Sequence, residues 1–166
     1  MAEPTDRSVL ALTVVLAKLE EVLPPAVRET LRAPAEPQEL AALGASLAEA
    51  GLLPADLHAL LTWHNGQSWN APLSKKNNRR LLSASEIERE RSFFADPMSD
   101  FMEPWSASWL PVLTNDAGGL VVYETTGPQR GNLLHYWHDD SSRNVAYPSL
   151  LKWAEGLLDE YARRYA

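Results

Sequence analysis

The sequence predicts an α+β fold, with a mainly antiparallel sheet of about four or more strands packed with helices. Two observations support this fold class. Before Pro97, apolar residues recur at three- and four-residue steps, which is the period of one helix face, and this period returns after Ser149. Between these two regions, apolar residues form short runs rich in β-branched and aromatic side chains, separated by turn residues as in an antiparallel meander.

Three helices are predicted in the first part of the chain. The first covers about Asp6–Leu23, where Lys18 and its acidic neighbours interrupt any membrane-spanning stretch. The second covers Pro37–Gly51, because proline suits a first helical turn and glycine a helix end. The third covers Pro54–His64 and carries leucines at helical spacing.

The segment after the third helix is predicted to end that helix, to form a loop and then to begin a fourth helix. Asn65 and Gly66 suit the left-handed conformation that often ends a helix. Gln67–Arg80 reads as a loop with a basic cluster. Ser83 and Glu86 have the spacing of a capping box, so a fourth helix is predicted to follow.

The strands are predicted at Trp109–Leu113, Leu120–Thr125 and Leu133–His138, with a fourth short strand around Val145–Ala146. The intervening segments contain glycine and asparagine, as hairpin turns require. Ser149 is predicted to cap a final helix that packs on the sheet. We expect residues 1–52 to form a helical extension packed on a domain of residues 53–166, the two making a single compact unit.

Composition limits the function classes. The formal net charge of −7 argues against nucleic-acid binding, which normally needs clustered Lys and Arg. It favours a basic partner, although on charge alone an acidic surface that serves solubility is the more common explanation. The chain contains no Cys, which excludes disulfides and thiol catalysis and is consistent with the cytoplasm. We expect no cofactor, metal or membrane contact, and the sequence leaves the oligomeric state open.

The strongest candidate for catalysis is the run from His135 and His138 to Asp139 and Asp140. Imidazoles and carboxylates bind metals and move protons. Side chains three apart on a strand point to opposite faces, however, so the two histidines do not converge without a bulge. We therefore expect a strand that runs into a polar turn, and no enzyme.

Aromatic and acidic side chains give the candidate partner surface. Trp63, Trp109 and Trp153 lie in periodic apolar segments and are expected to be buried, whereas Trp69 and Trp105 lie in loops. Exposed aromatic anchors often dominate the affinity of protein interfaces. The predicted partner-binding residues are Trp69, Glu103, Trp105, Asp139 and Asp140.

The order of these short motifs resembles the SUKH superfamily, the Smi/Knr-like proteins, over roughly Leu53–Tyr161. The residues that carry this resemblance are His64, Asn65, Gly66, Trp109, Pro111, Asp116, Gly118, Gly119, Ser149 and Trp153. The resemblance implies a non-enzymatic, protein-binding α+β domain. Such proteins serve widely as bacterial immunity proteins against delivered toxins, and fungal relatives regulate cell-wall assembly. It therefore implies an immunity protein that binds a cognate toxin, with a regulatory or scaffold protein that binds an endogenous partner as the alternative.

Overall fold

The computed structural model describes residues 6–47, 53–74, 76, 79–96, 105–137 and 139–164. The predicted α+β class is confirmed. In chain order the elements are α1 (Asp6–Val22), α2 (Pro25–Arg28), α3 (Pro37–Ala45), α4 (Ala55–Trp63), β1 (Arg80–Leu81), α5 (Ala84–Ala95), β2 (Trp109–Thr114), β3 (Leu120–Glu124), β4 (Leu133–Tyr136), β5 (Val145–Tyr147) and α6 (Leu150–Arg164).

The strands form one antiparallel sheet in the order β1-β2-β3-β4-β5. Its register aligns Arg80 with Thr114, Thr114 with Leu120, and Leu120 with Tyr136. The segment before β1, the turn at residues 115–119 and the segment after β4 therefore lie at the same end of the sheet. We call this the Asp116 end.

One face of the sheet forms the main core together with buried residues of α1, α4 and α6. Val121 and Tyr123 point from β3 into this core, because alternate residues of a strand share a face. Each fully buried leucine there stabilises the fold by about 1.5–3 kcal/mol through removal of apolar surface from water. The helical contributors include Leu12, Leu16, Leu19, Leu57, Leu61, Trp153, Leu157 and Tyr161.

The opposite face of the sheet carries a smaller aromatic cluster. Its buried members include Phe94 and Tyr136, and Trp105 and Trp109 pack against them with partial exposure. The Trp105 ring stacks on Phe94 with centroids 5.0 Å apart. The sequence predicts an exposed loop aromatic at Trp105 and a buried one at Trp109, but both are in fact partly exposed, because this face of the sheet gives their rings a packing site.

Local capping signals hold as predicted. The Ser83 hydroxyl accepts the backbone N–H of Glu86, and the Glu86 carboxylate accepts the backbone N–H of Ser83. Pro37 occupies the first turn of α3, and the Ser149 hydroxyl accepts the N–H of Lys152 at 3.1 Å. The prediction that the second helix continues to Gly51 is wrong in its end: α3 ends at Ala45 with Ser46 as its C-cap, where the Ser46 hydroxyl donates to the Leu43 carbonyl, and Gly51 itself lies outside the described residues.

Candidate functional site

The residues that follow α4 join three parts of the chain. His64 has an extended backbone, and its ring nitrogens lie 2.6 Å from the Arg32 carbonyl oxygen and 2.9 Å from a Glu20 carboxylate oxygen. The Asn65 amide donates to Glu39 at 2.9 Å and accepts the N–H of Ala84 at 2.8 Å. The pair thus ties α4 to α1, to α3 and to the start of α5.

Gly66 is required by both its backbone conformation and its surroundings. Its φ of +81° lies in the left-handed region that glycine adopts without strain. A Cβ added there would lie 2.5 Å from the backbone nitrogen of Ser83, which is closer than real contacts allow. The turn after α4 can therefore sit directly against the capping box of α5 only because it has no side chain.

Gln67 then anchors the start of the following loop. Its side chain is fully buried, and its amide oxygen accepts the N–H of Leu81 at 2.8 Å. Its amide nitrogen donates to the Thr30 hydroxyl and to the Ala71 carbonyl. Because every polar atom of this amide has a partner, its burial carries little desolvation penalty.

Arg80 is the charged centre of the site, although the sequence assigned it to a basic loop. Its guanidinium is buried and donates to both carboxylate oxygens of Asp116, at 2.8 and 2.9 Å, and to both of Glu86, at 2.9 and 3.2 Å. It also donates to the carbonyls of Gln67 and Leu81. The buried cation thus has two counter-ions and a full set of acceptors, as a stable buried ion pair requires.

The pKa directions follow from this geometry. Burial opposes the charged form of Arg80, but the hydrogen bonds to Asp116 and Glu86 outweigh burial and raise its pKa. Burial likewise opposes the ionised form of Glu86, and the Arg80 hydrogen bonds, with the backbone N–H of Ser83, outweigh it and lower the pKa of Glu86. Arg80 and Glu86 are therefore both held in their charged forms at neutral pH.

Asp116 extends this network to the loop that carries Trp69. Its Oδ2 accepts the backbone N–H of Asn70 at 2.9 Å, and both residues have positive φ, 60° for Asp116 and 57° for Asn70. On the other side of Trp69, the N–H of Ser68 donates to the Thr30 carbonyl at 2.8 Å. The backbone around Trp69 is thus fixed on both sides.

Trp69 itself is 70% exposed, as predicted. A large indole in water on a loop with fixed backbone loses little additional freedom when it meets a partner. Rigid aromatic side chains of this kind are typical anchors of protein interfaces. This arrangement makes Trp69 a candidate anchor.

The predicted acidic pair lies in the turn after β4, at the same Asp116 end. Asp139 and Asp140 are both exposed. The turn is closed by the N–H of Asp140, which donates to the Trp137 carbonyl at 3.1 Å, and by the N–H of Ser142, which donates to the Asp140 carboxylate at 2.9 Å. Backbone and side-chain hydrogen bonds from Ser142 lower the pKa of Asp140, so it stays ionised at neutral pH.

Two further features of this turn were not predicted. Trp137 is 37% exposed and adds a second aromatic surface beside the acidic pair. The Arg143 guanidinium lies 4.4 Å from the ring centroid of Tyr136, a cation–π contact that holds the far side of the turn. Strand alternation was a usable signal for Trp137, since it places this residue on the opposite face from buried Tyr136.

The remaining predicted site residues are not brought to this end with the others. Trp105 packs into the aromatic cluster and is only partly exposed. Glu103 and His138 lie outside the described residues. Within the described ranges, no group of three His, Cys, Asp or Glu side chains could hold a metal ion, and no helix is both long and apolar enough to cross a membrane. Whether the predicted residues touch a partner stays a prediction.

A fixed exposed aromatic and two exposed carboxylates at the same end of the sheet define a candidate protein-binding surface on an α+β fold. The sequence model of the SMI1 / KNR4 family (SUKH-1) matches residues 34–156, which is more than half of the chain. The chain therefore belongs to the SMI1 / KNR4 family (SUKH-1), and the predicted SUKH resemblance is confirmed. No curated protein matches it. Membership of this family supports a protein-binding role of the immunity or SMI1/KNR4-like kind.

The matched region begins before the predicted domain start at Leu53. It includes α3 (Pro37–Ala45), which the sequence prediction placed in the N-terminal extension. Leucines of α1 join the same core as those of α4 and α6. The division at residues 52 and 53 stays a prediction.

Proposed function

We propose that this chain is an immunity protein that binds and neutralises a cognate bacterial toxin in the cytoplasm. The observation that carries the proposal is the exposed indole of Trp69, whose neighbours on both sides are fixed by hydrogen bonds to Thr30 and Asp116. Family membership supports the protein-binding part of this proposal. The proposed binding surface is the Asp116 end, with Trp69, Asp139 and Asp140 as its contacting residues.

Charge supports a basic partner. The chain has a net charge of −7, and the acidic pair is exposed at the same end of the sheet as the aromatic anchor. Complementary charge mainly accelerates association, whereas a desolvated aromatic anchor slows dissociation. A toxin that acts on an anionic substrate presents a basic active-site region, and the acidic surface would occupy that region in place of the substrate.

The test has two steps. The tagged chain is used to capture its partner from the source cells, and the captured protein is then produced in a host with and without the chain. We expect the partner alone to stop growth, the parent chain to restore growth, and Trp69→Ala to restore it less well. Asp159→Asn serves as the matched surface control, because it removes an exposed carboxylate of α6 that pairs with Arg163 and is not one of the proposed contacting residues.

Two outcomes would overturn the proposal. A captured partner whose production is harmless would favour the regulatory alternative, in which the chain binds an endogenous protein. Full protection by Trp69→Ala together with a charge reversal of Asp140 would place the binding surface elsewhere.

A further inference from the structure

A cleft with a volume of about 500 Å³ lies between α6, the main-core face of the sheet and the segment before β1. Its apolar floor includes Leu113 and Val121 from the sheet and Trp153 from α6. Cationic groups, among them Arg79 and Lys76, line its rim. A volume in the range of about 300–1,000 Å³, with an apolar lining and a few polar groups, is typical of sites that bind small organic groups.

Arg79 in this cleft lacks the carboxylate partners that its neighbour Arg80 has. Arg80 meets two carboxylates, whereas among the described residues no carboxylate pairs with the Arg79 side chain. The Nε of Arg79 is buried and has no hydrogen-bond acceptor in the described part of the chain, and burial lowers the pKa of the guanidinium. A partly buried cation with an unused donor costs stability unless a ligand supplies the missing anion.

The acidic groups of the cleft are engaged elsewhere. The Glu160 carboxylate accepts the Ser74 hydroxyl at 3.1 Å, and Asp159 pairs with Arg163 at 3.0 Å. The other titratable groups that face Arg79 are His135 and Tyr147. Burial and then the charge of Arg79 lower the pKa of His135, while burial and then Glu160 raise the pKa of Tyr147, so both are neutral at pH 7. Among the described residues, the carboxylates of Glu160 and Asp159 line the cleft but neither forms an ion pair with Arg79.

We propose that this cleft binds a carboxylate attached to an apolar group, with Arg79 holding the carboxylate and the floor at Trp153 holding the apolar part. A planar guanidinium matches a carboxylate through paired N–H donors, and the apolar floor favours an organic acid over an inorganic anion. The ligand is either a free acid or the terminal carboxylate of a protein segment. This site does not depend on the Trp69 surface, so its failure would leave the proposed function intact.

The probe is 4-methylpentanoate, with 4-methylpentanamide as its uncharged match. We expect the acid to shift the NMR signals of the Trp153 indole N–H and the Gly156 amide, with a dissociation constant on the order of 1 mM, and the amide to bind at least about tenfold more weakly. Arg79→Gln should weaken binding of the acid by at least about tenfold, and Arg79→Lys by less, since it keeps the charge but not the planar fork.

A second pair of variants tests the place of binding without altering charge. A Cβ added at Gly156, which lines the cleft, meets nothing within 4 Å, so Gly156→Ala is expected to fold and bind like the parent. Gly156→Leu should fold equally well and block binding by filling the cleft. Melting temperatures of all four variants establish that the fold is intact.

The source of the carboxylate is decided by comparing the free acid with the tripeptide N-acetyl-Ala-Ala-Leu, as its acid and as its C-terminal amide. Tighter binding of the peptide acid than of 4-methylpentanoate assigns the site to a protein terminus, and the reverse assigns it to a small acid. Equal binding of acids and amides, undiminished binding by Arg79→Gln and Gly156→Leu, or a response to inorganic phosphate alone would overturn the proposal.

Discussion

The carboxylate of Asp116 joins Arg80 to Asn70: it accepts two hydrogen bonds from the buried guanidinium, at 2.8 and 2.9 Å, and one from the backbone N–H of Asn70 at 2.9 Å. Asp116, in the β2–β3 turn, thus neutralises the buried charge of Arg80 in β1 and also holds the backbone of the loop that carries Trp69. The exposed aromatic and the buried ion pair are parts of one arrangement. Loss of the ion pair should therefore affect the loop as well as the core.

Asp116→Asn should lower the free energy of unfolding by about 3 kcal/mol, because it leaves the buried Arg80 cation with one counter-ion. Asparagine tolerates the positive φ at this position, so the loss of unfolding free energy would come from the missing charge and not from backbone strain. Urea unfolding measures it. Asp159→Asn removes an exposed carboxylate and should change stability by about 0.5 kcal/mol or less. Equal losses in the two variants would contradict the central role of the buried pair.

Gly66→Ala should destabilise the fold by more than about 2 kcal/mol, since it combines strain at a φ of +81° with a backbone contact at 2.5 Å. Gly127→Ala is the matched control: its φ is +73°, but an added Cβ meets nothing within 4 Å. That variant should lose only about 1 kcal/mol of unfolding free energy, from the strain of a positive φ. Thermal or urea unfolding of both separates the two effects, and a Gly66 variant as stable as the Gly127 variant would rule out the steric effect.

Asp56→Asn should become more stable relative to the parent as pH rises. Asp56 is buried, and burial raises its pKa in the fold above 3.8 despite hydrogen bonds from the Tyr123 hydroxyl and the Leu57 N–H. Between its unfolded and folded pKa the native state binds more protons, so the parent loses stability as pH rises through this window. The amide keeps an acceptor for both donors without the charge. Urea unfolding from acid to neutral pH gives the difference.

Glu86→Gln should show the opposite trend. The pKa of Glu86 is lowered below 4.5 in the fold, so its ionised form stabilises the native state above pH 4.5 and this contribution is lost as pH falls through the folded pKa. The parent's advantage over the glutamine variant should therefore grow with pH. Parallel trends for the two variants would show that one of the two pKa directions is wrong.

Trp69→Ala should weaken binding to the captured partner by about 2 kcal/mol or more with little change in unfolding free energy. Trp153→Ala should instead lose about 3 kcal/mol or more of stability, because its indole is buried in the main core. Calorimetric binding and urea unfolding on each variant distinguish an anchor from a core residue. Normal binding by Trp69→Ala would remove this residue from the proposed surface.

Asp140→Lys should slow association with the partner at low salt and reduce its salt dependence, because exposed charges act mainly through steering. Stopped-flow association at two ionic strengths measures both effects. An unchanged association rate at low salt would exclude the acidic turn from the encounter surface.

The helices and central strands could be predicted from sequence because their signals are local. The period of α1 and α6, the Ser83 capping box and the β-rich runs each depend on residues a few positions apart. The two-residue strand β1 has no alternation to detect, and the short helix α2 (Pro25–Arg28) begins at a Pro-Pro pair that reads as a stop.

The site could be predicted only in part, because its supports are long-range. Exposure of Trp69 follows from its loop, but the partners of Arg80 are brought together by the antiparallel register of β1 and β2. A charged residue in a basic cluster normally indicates an exposed loop, so the sequence assigned Arg80 to a basic loop and gave no sign of its buried partners. Trp105 was misplaced for the converse reason, since nothing nearby in sequence signals the aromatic cluster that receives it.

The packing of α1 against α6 has a consequence for how the protein is made. These two helices are the first and last elements described, yet the buried leucines of α1 share a core with Trp153 and Leu157. A growing chain emerges from the ribosome with its amino end first, so α1 is exposed to the cell before its last partner exists. The apolar stripe of α1 can meet α4 early, but the core closes only after α6 has been synthesised, and during that interval the nascent chain offers chaperones a hydrophobic helix to hold.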